Sequence, residues 1–264
     1  MMASHHGERE APHPSSPDVT AWPHASRRIA NPRRRVQAVR ADALHPAVRL
    51  ADADPTLAAT DAAGQLVART LWLEPGRWDP LGGARYDGWL GMLVLEGFIV
   101  REVEVEGLRC CELLGPGDVL RPWDEDEAGA TIACRTAWRL LEHTRLALLD
   151  HDFGRRAARH PDVTAELMHR TLRRSRSQSV LLAVTQARRA DVRLRALFWH
   201  LADRWGHVTP DGVVLPLRLT HTVIAQLTGL RRPSVSLSLA ELERSGEIVR
   251  RSKSSWRLAH AFAP

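Results

Sequence analysis

The rhythm of hydrophobic and polar positions changes twice along the chain. Residues 1 to about 45 carry Pro, His, Ser and Arg with no sustained apolar period, which predicts a mostly disordered basic arm over 1–45. From about Val48 short β-rich runs take over: Leu66 to Leu73, Leu90 to Val105 and Leu108 to Leu114. Pro75-Gly76, Gly82-Gly83, Gly107 and Gly115-Pro116-Gly117 punctuate them. From Val100 to Glu106 apolar and charged residues interchange as in a half-buried strand, and Gly107 offers a tight turn, so a hairpin is expected there. Ala130 to Trp138 and Arg139 to Leu149 supply two more candidate strands. Many short strands with glycine turns predict a small antiparallel barrel or roll over 46–155.

After Phe153 the period becomes helical. Val163 to about Ala187 lacks Gly and Pro and repeats apolar residues at Leu167, Leu172, Val180, Leu181 and Val184, with Asp162 as the expected N-cap. A helix this long packs against a copy of itself or spans two domains. Arg173, Arg174 and Arg176 interrupt its stripe, which is thinner than an ideal heptad seam. Asp191 is placed to cap a second helix, Val192 to Trp205, with Leu194, Leu197, Phe198 and Leu201 at three- and four-residue spacing and Gly206 ending it. A hinge is expected at Arg188 to Asp191.

The stretch from Leu217 to Gly246 has the punctuation of two short helices joined by a tight turn. Thr220 caps the first, whose inward residues are Ile224, Ala225 and Leu227. Gly229 supplies the left-handed turn residue, Leu230 plugs the corner, and Pro233 sits in the first turn of the second helix, where its missing N–H costs nothing. Val235, Leu239 and Leu242 form the buried stripe of that helix, leaving Arg232, Ser234, Ser236, Leu237 and Ser238 outside. Two strands follow, Ile248 to Arg251 and Ser255 to Leu258, around a basic tip at Ser252-Lys253-Ser254 suited to phosphate. This is the pattern of a winged helix-turn-helix that reads double-stranded DNA. The rival reading is a winged helix used for protein contacts, in an effector-binding or protein-interaction adaptor.

Charge sharpens the division. From Arg155 to the end there are 20 Lys+Arg against 8 Asp+Glu, and before it 17 against 23, so a basic half follows an acidic one. No apolar run approaches the ~20 residues a membrane span needs, and the N-terminus has no apolar segment of signal-peptide type, so a cytoplasmic protein with no membrane contact is expected. Cys110, Cys111 and Cys134 have no C-x-x-C spacing and read as reduced structural thiols, Cys110 and Cys111 pointing to opposite faces of a strand.

With these residues in view, the chain from about Val48 to Leu258 resembles the Crp/Fnr family of bacterial transcription regulators. The resemblance is strongest in Leu194 to Leu242, through Leu215-Pro216-Leu217 and Arg232-Pro233-Ser234-Val235-Ser236, and includes the glycine turn Leu114-Gly115-Pro116-Gly117-Asp118-Val119-Leu120. It implies an α+β chain with four parts: the arm, an N-terminal antiparallel β-roll over 46–155 (a cupin-like double-stranded β-helix of cyclic-nucleotide-binding type), a long dimerisation helix over 156–190, and a winged helix-turn-helix over 191–264. By the same resemblance the protein is a homodimer on a palindromic operator with half-sites about one helical turn apart, with RNA polymerase as a further partner. The family's guanine-reading arginine falls on Arg232, and phosphate contacts fall on Thr220, Arg231 and Ser234. Two base-reading positions depart from the family pattern, at Pro233 and Leu237, so the familiar operator does not transfer. Leu237 is assigned a thymine methyl, Ser236 a base edge and Lys253 phosphate.

The roll carries no convincing effector signature. Gly117-Asp118-Val119-Leu120-Arg121-Pro122-Trp123 and the acidic run at 124–127 lack the Gly-Glu pair of cyclic-nucleotide binders, and Arg135-Thr136-Ala137 matches their phosphate-binding run only superficially. N-terminal cluster cysteines are absent, and His143 or His151 alone is a weak haem ligand. No metal or cofactor is therefore expected and the effector is unidentified. Trp72, Trp78, Trp89, Trp123 and Trp138 either line an apolar pocket or fill the core of the roll. No nucleophile elbow, P-loop or dinucleotide fingerprint appears, so no enzyme is expected.

Overall fold

The computed structural model describes residues 36–38, 44–58, 66–80, 86, 88–125 and 132–259. The first half runs β1 (Val36–Ala38), β2 (Leu44–Arg49), two single-turn helices α1 (Leu50–Ala53) and α2 (Pro55–Ala58), then β3 (Val67–Leu73) and β4 (Gly76–Asp79). It continues with β5 (Gly91–Glu96), β6 (Ile99–Val105), β7 (Leu108–Leu114), β8 (Val119–Leu120), a 3-10 turn (Pro122–Glu125), β9 (Cys134–Leu140) and β10 (Thr144–Leu149). Two five-stranded sheets result, ordered β1-β4-β9-β6-β7 and β2-β3-β10-β5-β8.

The inner faces of the sheets meet in one core, with Leu71, Met92, Val94, Leu146 and Leu148 on one side and Trp78, Ile99, Leu114, Trp138 and Leu140 on the other. Alternation between two buried faces explains why β5 is apolar from Met92 to Leu95: Met92 and Val94 enter this core, whereas Leu93 and Leu95 point to the reverse face. That reverse face is covered by Leu50 and Leu57, by Phe153 and Ala157 of α3 (His151–Ala157), and by Val163 and Leu167 of the long helix α4 (Pro161–Gln186).

The second half continues with α5 (Ala190–Trp205), β11 (His207–Thr209), β12 (Gly212–Leu215), α6 (His221–Thr228), α7 (Arg232–Arg244), β13 (Ile248–Ser252) and β14 (Ser255–Leu258). Its strands form a sheet ordered β11-β12-β14-β13. A third core joins both halves. Phe98, Val100 and Leu113 of the roll pack with Leu181 and Val184 of α4 and with the interior of the C-terminal module.

Several sequence expectations shift in detail. Pairing reaches Val36, because β1 lies parallel to β4, and β2 starts at Leu44, so part of the segment expected as a bare arm belongs to the sheets; residues 1–35 lie outside the described residues. The run Leu90 to Val105 is two strands, divided at Gly97, and the run after Cys134 breaks at Glu142-His143 rather than after Trp138. Trp138 and Leu140 are both buried on the inner face, which keeps the strand going past the expected break. Neither long-helix cap is the expected aspartate. Asp162 and Asp191 lie in first turns behind His160 and Arg189, and neither of these two caps with its side chain. The wing sheet also gains two strands, β11 and β12, beyond the two that the sequence pattern marks.

Candidate nucleic-acid interface

The reading module is built around α5. Its Leu194, Leu197, Phe198 and Leu201 pack with Val223, Ile224 and Leu227 of α6, Val235, Leu239 and Leu242 of α7, and Ile248, Trp256 and Leu258 of the wing. Phe198 meets Trp256 edge-to-face at 4.9 Å, which pins the wing to α5. The punctuation read from sequence is in place. Thr220 Oγ1 accepts from the Val223 amide at 3.2 Å, Gly229 has φ +67°, and Pro233 occupies the first turn of α7. Burial of the apolar stripe therefore fixes which face of α7 remains outside.

That outer face carries most of the expected contacts. Arg231, Arg232 and Pro233 are exposed at the start of α7, Ser234 is half-buried, and Leu237 is 74% exposed one turn further on. Lys253 is exposed at the tip of the β13–β14 turn, next to exposed Arg250 and Arg251. Ser236 is different. Its hydroxyl meets His221 Nδ1 at 2.8 Å and donates to the Arg232 carbonyl at 3.2 Å, so it braces α6 against α7 as well as standing near the reading face. Sequence reasoning misses His221. The available signal is a histidine at the first position of a capped helix, beside a recognition helix.

The module is seated on the roll by polar contacts at two places. Gln226 of α6 donates to Glu102 of β6 at 2.9 Å and accepts from Arg139 of β9 at 2.9 Å. Arg204 of α5 reaches Asp118 of the glycine turn at 2.5 Å and Ser177 of α4 at 3.2 Å; Ser177 in turn meets His200 at 2.8 Å. Burial, with the Arg204 charge second, lowers the His200 imidazole below its ordinary value, so it is neutral at pH 7.

Trp78 and Trp138 are buried in the core of the roll and Trp89 and Trp123 pack against the same core, while Trp72 lies outside it. Trp78 and Trp138 meet edge-to-face at 5.8 Å inside the roll, Trp123 stacks on Tyr86 with Trp89 edge-on, and Trp72 is exposed beneath Arg145. Cys110 is exposed and Cys111 half-buried against the third core, on opposite faces as expected. Burial, followed by Glu102 and Cys110, pushes the Cys111 thiol up to about 12, so it is no nucleophile at neutral pH. No cluster of three or more metal-ligating side chains occurs among the described residues.

Comparison with known proteins agrees with this geometry. Residues 192–259 match the Crp-like helix-turn-helix domain family. The Regulatory protein CysR of Synechococcus elongatus is 30% identical over 145 residues, which are 53% of this chain and 62% of that protein, so less than two thirds of that relative is spanned. Among solved structures, a cyclic nucleotide-binding domain containing protein from Listeria monocytogenes EGD-e superposes with a TM-score of 0.59 at 16% identity, covering 80% of this chain and 97% of that one. A CooA mutant from Carboxydothermus hydrogenoformans gives 0.55 at 19% identity, over 78% and 90% of the two chains. TTHB099 from Thermus thermophilus, a transcriptional regulator of the CRP family, gives 0.50 at 21% identity, over 71% and 91%. At these identities the structures speak for a shared fold.

Proposed function

We propose that this chain, which carries a Crp-like helix-turn-helix domain within the fold of the Crp/Fnr regulators, is a sequence-specific DNA-binding transcriptional regulator. One observation carries the reading. The exposed N-terminal end of α7, with Arg231 and Arg232, stands on one rigid module with a basic wing tip at Lys253. An arginine at that end of a recognition helix can fork onto guanine O6 and N7, while the wing holds phosphate. Thr220, Arg231 and Ser234 take phosphate, Arg232 takes guanine, and Leu237 takes an apolar base edge.

The protein acts as a homodimer through α4. The buried positions of this helix, from Val163 through Leu167, Arg170, Ser177 and Leu181 to Val184, follow a three- and four-residue repeat facing its own chain. A second stripe with the same repeat (Met168, Leu172, Ser175, Ser179 and Leu182) lies roughly 150° around the helix, at about 100° per residue. Its large members Met168, Leu172 and Leu182 are 63–65% exposed. A two-fold axis along that stripe makes the operator a palindrome. No helix among the described residues is long and apolar enough to cross a membrane; the regulator works in the cytoplasm, where it meets DNA and, at promoters, RNA polymerase.

Selection of bound sequences from a random DNA pool tests the reading. A palindromic site is expected, with affinity falling steeply as salt rises, and Arg232→Ala should cost about 1–3 kcal/mol on that site. Salt-insensitive binding without a consensus would favour the protein-adaptor reading instead.

A further inference from the structure

Two arginines of α4 point into the roll, and both are held there by carboxylates of the same chain. Arg170, 2% exposed, lays NH1 and NH2 on the two oxygens of Asp54 at 2.6 and 2.8 Å and its Nε on Glu166 at 2.7 Å. Its NH1 also points to the Gly117 carbonyl at 3.4 Å. One turn on, Arg174 forks onto Glu112 of β7 through Nε and NH2 at 2.7 and 2.8 Å, with NH1 near the Val119 carbonyl at 3.3 Å. Arg101 of β6 approaches the same Glu112 at 3.4 Å.

Two-point arginine–carboxylate pairs fix orientation as well as distance. Asp54 lies between α1 and α2 and Glu112 on β7, so the two forks tie α4 to separate parts of the roll. A guanidinium this buried needs an anionic partner, and here that partner is covalently part of the protein. A phosphate or carboxylate ligand arriving at these arginines would have to displace Asp54 or Glu112 and meet Glu166 besides. The forks also set the rotation of α4 about its own axis. With Arg170 and Arg174 turned inward, Met168, Leu172 and Leu182 are the residues turned out.

We propose that Asp54 and Glu112 are built-in ligands of α4: they seat the helix on the roll without a small anionic effector, so the protein reaches its DNA-binding form unaided. The proposal rests on the DNA-binding reading for its functional consequence, though not for the clamp itself. The structural role is that of a tethered anion, and deletion of one carboxylate turns its place into a site for a free one.

The test uses the full chain and the operator found by selection. Wild-type protein, unfolded and refolded in buffer free of small molecules, should bind as before, and added inorganic phosphate or cyclic AMP should shift Kd by less than about threefold. Glu112→Ala should weaken binding by at least about tenfold, because it takes the forked carboxylate from Arg174 and leaves Arg101 facing the gap, and Asp54→Ala by at least about threefold, because Arg170 keeps Glu166; added acetate should restore most of each loss. The pair Glu112→Met with Arg174→Met removes the anion together with the arginine it forks, so it should lose less binding than Glu112→Ala and gain less from acetate. The proposal is overturned if refolded wild type recovers DNA binding only with a small-molecule extract, or if Glu112→Ala binds like wild type. Where a single variant is too unstable to assay on DNA, its Tm should rise with acetate while that of wild type does not; no rise also overturns it. If wild type selects no DNA site at all, the regulator reading fails, and the acetate-dependent Tm still decides the clamp.

Discussion

Gln226 of the helix-turn-helix bridges two strands of the roll, donating to Glu102 and accepting from Arg139, both at 2.9 Å. The C-terminal module is thus joined to the roll by directed bonds over a shared apolar core that includes Val100, Leu113 and Leu227. Gln226→Ala should lower stability by about 1 kcal/mol, since Glu102 and Arg139 remain close enough to pair with each other. Urea unfolding of wild type should show one transition for both halves. Separate unfolding of residues 191–259, seen by hydrogen exchange, would contradict the shared core.

How far the sequence disclosed this arrangement depends on where the information lay. Thr220, Gly229 and Pro233 act within a few residues of themselves, through a cap, a positive φ and a missing N–H, and their roles are readable in the text. The inner seam of α4 was not readable as a seam. Two of its positions are arginines, and they are inside only because Asp54 and Glu112, 116 and 62 residues away, come to meet them. The same holds for Gln226, an ordinary polar residue until Glu102 is placed beside it. Helices α1, α2 and α3 span four, four and seven residues, too short for a period to declare itself.

Gly97 and Gly107 both have positive φ, +86° and +79°, yet they should respond differently to alanine. A Cβ on Gly97 would lie 2.5 Å from both the His143 carbonyl and Thr144 Oγ1 and 2.8 Å from Thr144 Cα, whereas one on Gly107 meets nothing within 4 Å. Gly107→Ala should cost about 1 kcal/mol for its backbone conformation alone. Gly97→Ala should cost more than about 3 kcal/mol, because backbone as well as side chain must move. Urea midpoints of the two variants decide the order.

Two buried acids should tilt the pH dependence of stability in opposite directions. At Glu112 burial works to raise the pKa, but the Arg174 hydrogen bond and charge, with Arg101, outweigh it and hold the carboxyl below its ordinary 4.5. The unfolded chain then binds this proton more tightly. Stability from Glu112 is full above 4.5 and is lost as pH falls through the lower folded value. At Asp118 burial outweighs Arg204 and the Gly115 amide and holds the carboxyl above 3.8, so this group favours folding more as pH falls through its raised value. In urea titrations over the acid range, Glu112→Gln should flatten the loss of stability and Asp118→Asn should steepen it. Equal slopes in all three proteins would refute the assignment.

The outward stripe of α4 gives a direct test of assembly. Leu172 is 64% exposed at its middle, beside small Ser175. Leu172→Glu places a charge at the two-fold contact and should yield a monomer in sedimentation, with the unfolding free energy of the single chain changed by less than about 0.5 kcal/mol. Operator affinity should fall with it, because a monomer holds one half-site only. A dimer of unchanged strength would place the interface elsewhere.

Leu237 is among the most exposed large apolar side chains of the described residues. It stands 74% exposed on α7 between Val235 and Leu239, which are buried on the opposite side and hold the helix without it. An apolar side chain on the reading face matches one feature of the major groove, the C5-methyl of thymine. Leu237→Ala should therefore leave the unfolding free energy in urea within about 0.5 kcal/mol of wild type and weaken operator binding by about 1 kcal/mol, the scale of one buried methyl-sized contact. Replacing the contacted thymine by deoxyuridine removes the methyl and nothing else. Wild type should lose a similar amount on that operator, while Leu237→Ala should not distinguish the two DNAs. Additive losses in this cycle would show that Leu237 and the methyl do not meet, and the apolar reading of the position would then be wrong.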